Sequence, residues 1–114
     1  MSGIALFGGT FNPFHNGHLS ILNAIDNAQF IKNVFLTPNH VSPHKQKGSS
    51  IISSRTRLEM CQLVSQHEVF KNISIHVNEF ELDKEGISWT IETLLELKKW
   101  NGNTPIYLVM GSDS

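Results

Sequence analysis

Cysteine is almost missing from this chain. Cys61 is the only one in 114 residues, which excludes an internal disulfide and a cysteine-built zinc site and fits a reducing compartment. Net charge is also small: nine Lys and Arg stand against ten Asp and Glu, a formal charge of -1. That balance carries no electrostatic footprint for nucleic acid, so no nucleic-acid partner is expected, while a small phosphorylated ligand remains open. No basic segment followed by a long apolar run opens the chain, so no secretory signal is read and the cytoplasm is the expected location. Repeats and low-complexity tracts are absent too. With 39% hydrophobic and 17% charged residues, the composition is that of an ordinary globular protein with no membrane partner. The length predicts a single domain over residues 1–114 that buries roughly two thirds of its unfolded surface.

What is present is a short apolar run followed by a helix-like stretch, recurring along the chain. Ile4 to Phe7 reads as a buried strand, and from about Gly17 the residues Leu19, Leu22 and Ile25 recur at helical spacing. Asn33 to Pro38 is a second strand, which Pro38 stops. Ser53 or Ser54 can cap a second helix, with Leu58, Met60 or Cys61, and Val64 facing inward. Ile73 to Val77 is a third strand. Thr90 to Lys99 is a third helix with Ile91, Leu94 and Leu95 on its inner side, and Pro105 to Met110 is a fourth strand. Apolar strands alternating with amphipathic helices predict an α/β protein, a Rossmann-like parallel sheet with helices on both faces. Ligands of such sheets bind beyond the carboxyl ends of the strands, where strand order reverses. Three polar clusters fall there: "GGTFNPFHNGH", "PNHVSPHK" and "GSDS".

The first cluster is neither the three-glycine dinucleotide fingerprint nor a P-loop, because no Gly-Lys-Ser/Thr follows. Gly8 and Gly9 permit unusual backbone angles and a close approach to a ligand, and Asn12-Pro13 initiates a turn. A helix starting near His15 or Asn16 places His15 and His18 on one face of its first turn, beside unpaired N–H groups that form an anion site. Gly17 between them leaves space for a phosphate. Imidazole N–H donors aimed at phosphoryl oxygens suit attack on the α-phosphate of a nucleoside triphosphate, with pyrophosphate leaving. A zinc site drawing on His40 and His44 is the rival reading, although no carboxylate or thiol stands at a supporting spacing.

"GGTFNPFHNGH" resembles the GGTFDPxHxGH signature of the nucleotidyltransferase superfamily with the HxGH motif, matching both histidines and Gly17 and departing at Asn12. Phosphopantetheine adenylyltransferases usually have threonine where His15 stands. "LTPNHVSPHKQ" resembles the PNxxPPHK segment of bacterial nicotinate-nucleotide adenylyltransferases, with Ser42 in place of a proline. "SSRTRLEM" resembles their SxxxRxxM helix start at Ser53, Arg57 and Met60. "GISWTIETL" resembles their GPSYTxxTL segment, with Ile87 and Trp89 as departures, and "YLVMGSDS" resembles a strand ending in Gly-x-Asp.

The resemblance implies adenylyl transfer from ATP to nicotinate mononucleotide, giving nicotinate adenine dinucleotide and pyrophosphate on the way to NAD. It implies His15 and His18 as catalytic, and Gly8, Gly9, Thr10, Phe11, Gly17, Gly111 and Asp113 at ATP. Asn39, His44, Lys45, Trp89 and Thr90 would meet the mononucleotide or its phosphate. Magnesium is expected with the triphosphate, and no metal ligand is assigned to the protein. His67 and His76 match no functional position. The family's later tryptophan-bearing segment and its SxTxxR motif find no match before Ser114. The expectation is therefore an N-terminal portion of the family domain with an incomplete nucleotide clamp, weak or no turnover alone, and an apolar edge that favours self-association. An inactive nucleotide-binding fragment and a transferase with another acceptor are the alternatives.

Overall fold

In the computed structural model, residues 3–11, 13–39, 52–67, 69–79 and 88–110 are described. Gly3–Gly9 form strand β1, in which every residue is buried. Such a nearly continuous apolar run suits a strand covered on both faces. It pairs in parallel with β2 (Ile31–Pro38) on one side, Leu6 opposite Phe35 and Gly9 opposite Pro38. On its other side β4 (Ile106–Met110) pairs in parallel, Leu6 opposite Leu108. A third parallel partner, β3 (Ser74–Val77), lies outside β2, giving the order β3-β2-β1-β4. Strand order reverses between β1 and β4, so the switch point lies at the end of β1.

Helix α1 (Asn16–Ala28) connects β1 to β2, α2 (Ser54–Ser65) precedes β3, and α3 (Ser88–Asn101) precedes β4. His15 is the N-cap of α1. Ser53 rather than Ser54 caps α2, its Oγ accepting from the Thr56 N–H at 3.2 Å. Gly102 closes α3 in the left-handed region at φ 59°, where glycine meets no Cβ penalty. Leu22 and Ile25 of α1 and Cys61 of α2 pack with Ala5, Phe7, Val34 and Leu36 in one core, flanked by Val64 and Ile75. No described helix is long and apolar enough to cross a membrane.

Two inward faces differ from expectation. Leu95 is exposed and Leu94 half-buried, while Thr93 is buried; Thr93, Leu97 and Trp100 instead line one cavity with Phe35 and Val77. The α3 side facing Phe35 and Val77 is thus the one carrying the polar Thr93, not the one expected, of which the Ile91 side chain lies outside the described residues. In α2 the inward row includes Arg57, one turn ahead of Cys61, and the guanidinium is fully buried. The apolar edge expected at β4 is present, with Tyr107 and Leu108 exposed.

Candidate active site at the end of the first strand

The chain leaves β1 through Thr10 and reaches Phe11, which carries the unusual backbone angle that the sequence assigned to Gly8 and Gly9. Phe11 lies in the left-handed region at φ 51°, whereas both glycines continue the strand. A non-glycine residue there costs roughly 1–2 kcal/mol. Packing offsets it: the Phe11 ring is buried, edge-on to Phe7 at 5.5 Å between centroids and to His18 at 4.9 Å. The Phe11 side chain is thereby committed to the core. The same ring explains Gly9, because a Cβ there would stand 3.2 Å from Phe11 Cε1. Gly8 is different. Among the described residues a Cβ on it would meet only Asn39 Oδ1, at 3.8 Å.

At the start of α1 the two histidines form a reciprocal cap. The backbone N–H of His15 donates to Nδ1 of His18 at 3.0 Å, and that of Gly17 donates to Nδ1 of His15 at 3.0 Å. The rings stack with centroids 3.9 Å apart. A ring nitrogen that accepts an N–H carries no proton, so this pattern assigns both imidazoles the tautomer protonated at Nε2. His15 is exposed, while His18 is buried against Phe7, Phe11 and Phe14. A Cβ on Gly17 would lie 2.8 Å from His15 Cε1, so the missing side chain makes room for the His15 ring.

The loop after β2 comes alongside. The Asn39 N–H donates to the Gly9 carbonyl at 2.8 Å. Among the described residues Asn39 Oδ1 is buried without a hydrogen-bond partner, an uncommon and costly state for a buried acceptor. Arg57 Nη1 donates to the carbonyls of Thr10 at 2.9 Å and Asn39 at 2.8 Å, while Nε donates to Ile52 O and Nη2 to Ser54 Oγ. Burial lowers the Arg57 pKa from its ordinary value, and the neighbouring Cys61 opposes this to a smaller extent. Burial also pushes the Cys61 thiol up to about 12, with Arg57 as the smaller opposing influence. Among the described residues no group of three or more His, Cys, Asp or Glu could hold a metal.

A family profile described as cytidylyltransferase-like matches residues 6–114. The chain belongs to the cytidylyltransferase-like family. A probable nicotinate-nucleotide adenylyltransferase from Bacillus mycoides (strain KBAB4) is 38% identical to this family member over 113 residues, covering 99% of the chain and 57% of the relative. Another of that name, from Psychromonas ingrahamii, is 40% identical over 111 residues, covering 97% of the chain and 49% of the relative. The chain thus spans about half the length of the curated relatives it matches. In three dimensions it resembles Plasmodium falciparum nicotinic acid mononucleotide adenylyltransferase complexed with NaAD. The TM-score is 0.72 at 20% identity, covering 95% of this chain and 51% of that one. This likeness establishes a shared nucleotidyltransferase fold.

Within this cytidylyltransferase-like chain, the fold brings Gly8, Gly9, Thr10, His15, Gly17, His18 and Asn39 to one end of the sheet. Trp89 and Thr90 open α3, and their side chains lie outside the described residues, as do His44, Lys45, Gly111 and Asp113. His76 stacks on Phe35 at 4.9 Å and bonds Asn33 Oδ1 at 3.0 Å, and His67 lines an apolar cavity with Phe14 and Phe70. The sequence reading gave Arg57 no part in the site beyond a motif match. Its signal was a cation on the same helical face as Cys61, four residues on.

Proposed function

We propose that the chain carries the donor-activating part of a nicotinate-nucleotide adenylyltransferase, which joins ATP and nicotinate mononucleotide into the deamido dinucleotide and releases pyrophosphate. The observation that carries this reading is the paired histidine cap, in which backbone N–H groups hold both Nδ1 atoms as acceptors. Each neutral ring then keeps its proton at Nε2 as a donor, at a helix N-terminus that favours anions. The names of the two bacterial relatives support the substrate assignment.

In the proposed reaction a phosphate oxygen of the mononucleotide attacks the α-phosphorus of ATP. A new phosphorus–oxygen bond forms, the bond to the bridging oxygen of the β-phosphate breaks, and pyrophosphate leaves with that electron pair. The protein supplies position and charge stabilisation rather than a nucleophile. Gly8 lets the β1 backbone approach the phosphates, His15 and His18 donate to phosphoryl oxygen as negative charge grows, and Asn39 Oδ1 accepts from a ligand hydroxyl. Magnesium would accompany the triphosphate with phosphate oxygens as its ligands; the described residues offer it no cage.

Pyrophosphate release from ATP with nicotinate mononucleotide, beside nicotinamide mononucleotide and other phosphate esters, tests the reading. Turnover selective for the nicotinate form and lost in His18→Ala supports it, and equal use of all acceptors would overturn the substrate assignment. The coverage of about half of each relative favours a second reading, a nucleotide-binding unit without turnover. ATP binding without pyrophosphate release would select it.

A further inference from the structure

Arg57 has no side-chain accessibility, yet its four hydrogen-bond acceptors among the described residues are neutral: the carbonyls of Thr10, Asn39 and Ile52, and the Ser54 hydroxyl. Burying a guanidinium without a carboxylate is unfavourable, and an apolar side chain of similar length would fill this inward position of α2 without that penalty. What the guanidinium adds is geometric. One nitrogen, Nη1, reaches a carbonyl on each of two loops, Thr10 after β1 and Asn39 after β2. Its two N–H bonds diverge in a fixed plane, so the separation of those carbonyls is set by covalent geometry. The neighbouring bond from Asn39 N–H to Gly9 O, at 2.8 Å, closes the same junction.

We propose that Arg57 is a positioning residue that sets the spacing between the two substrate-bearing loops, acting through the Thr10 and Asn39 carbonyls and touching neither substrate. The assignment of ATP to the first loop and the mononucleotide to the second rests on the function proposed above; the clip between the loops does not. Donor and acceptor bind on opposite sides of the junction, so loosening it leaves each site whole and spoils their alignment. A misplacement of about 1 Å can cost about 100-fold in rate.

The test compares Arg57→Met and Arg57→Lys with the wild type by residue-resolved amide hydrogen exchange and, where the wild type turns over, by steady-state kinetics per folded molecule. In Arg57→Met the Asn39 amide should exchange at least about tenfold faster, while the Phe7 and Val34 amides inside the sheet stay within about twofold. Correspondingly, kcat should fall about 100-fold with KM for each substrate held within about threefold, and Arg57→Lys should recover part of both effects. Unchanged Asn39 exchange, or equal acceleration throughout the sheet, overturns the proposal. Should Arg57→Met fail to fold, Arg57→Lys supplies the same readouts, and loss of folding in both makes Arg57 a residue of the fold alone. A wild type without turnover counts against the functional reading and leaves the exchange comparison to decide the clip.

Discussion

The His15 backbone N–H donates to Nδ1 of His18 across 3.0 Å, and the two imidazoles stack 3.9 Å apart. One histidine thereby fixes the tautomer of the other while both terminate a helix. Capping and the proposed catalytic role are separable, because asparagine can place an oxygen near Nδ1 but has no donor where Nε2 lies. His18→Asn should retain the fold, with a melting temperature within a few degrees of wild type, and lose about 10²–10³-fold in pyrophosphate release. His18→Ala should also lose the cap, at about 1 kcal/mol in chemical denaturation. Full activity in His18→Asn would reduce His18 to a cap.

Gly8 and Gly9 are adjacent but have different reasons to lack a side chain. A Cβ on Gly9 would press on the buried Phe11 ring at 3.2 Å, so Gly9→Ala should destabilise the protein by about 1–3 kcal/mol. Among the described residues a Cβ on Gly8 meets Asn39 Oδ1 at an ordinary 3.8 Å, so these neighbours tolerate it. Gly8→Ala should therefore melt like wild type yet bind magnesium ATP at least about tenfold more weakly, as one displaced charge-assisted hydrogen bond would produce. Calorimetric titration beside thermal unfolding checks both; wild-type affinity in Gly8→Ala would remove the first glycine from the phosphate site.

The residues that the sequence exposed most clearly were those whose local rule and tertiary role agree. The apolar run of β1 could only be a buried strand, and a polar His-x-x-His preceding apolar spacing marked the start of α1. Where the rules conflict, sequence alone was insufficient. Two glycines suggested where the backbone would turn unusual, but the left-handed residue is Phe11, held there by contacts with Phe7 and His18 that no short window reveals. Arg57 and Asp26 sit on apolar faces beside Cys61 and Ile25; two of the Arg57 acceptors, Asn39 and Thr10, and the Asp26 donors at Asn72 and Ile73 come from segments 18 to 47 residues away. A charge at an inward helical position was the visible signal; its partners were not visible.

Asp26 shows what such a charge does for the fold. From the end of α1 its carboxylate accepts from the backbone N–H groups of Lys71, Asn72 and Ile73, and its own carbonyl accepts from Asn72 Nδ2. The segment entering β3 is fastened to α1 by these bonds. Asp26→Ala leaves the Ile73 N–H, which is buried, without its acceptor and should cost about 2–3 kcal/mol in urea denaturation. Asp26→Asn keeps one oxygen and should lose less. A loss below about 0.5 kcal/mol in the alanine variant would show that these N–H groups find other acceptors.

Cys61 gives stability a pH dependence whose sign follows from burial. Its thiol is pushed up to about 12 from an ordinary value of 9.0, because the interior disfavours the thiolate more than Arg57 favours it. Between those values the folded protein holds a proton that the unfolded chain releases, so this contribution is fully present below about pH 9 and declines as pH rises toward 12. From pH 8 to pH 10 the wild type should lose about 1 kcal/mol more than Cys61→Ala in denaturant titrations. A disulfide-exchange reagent at pH 8 should label Cys61 only as fast as the protein opens, since the thiolate is the nucleophile. Rapid native labelling, or matching pH dependence in wild type and variant, would contradict a neutral buried thiol beside the Arg57 clip.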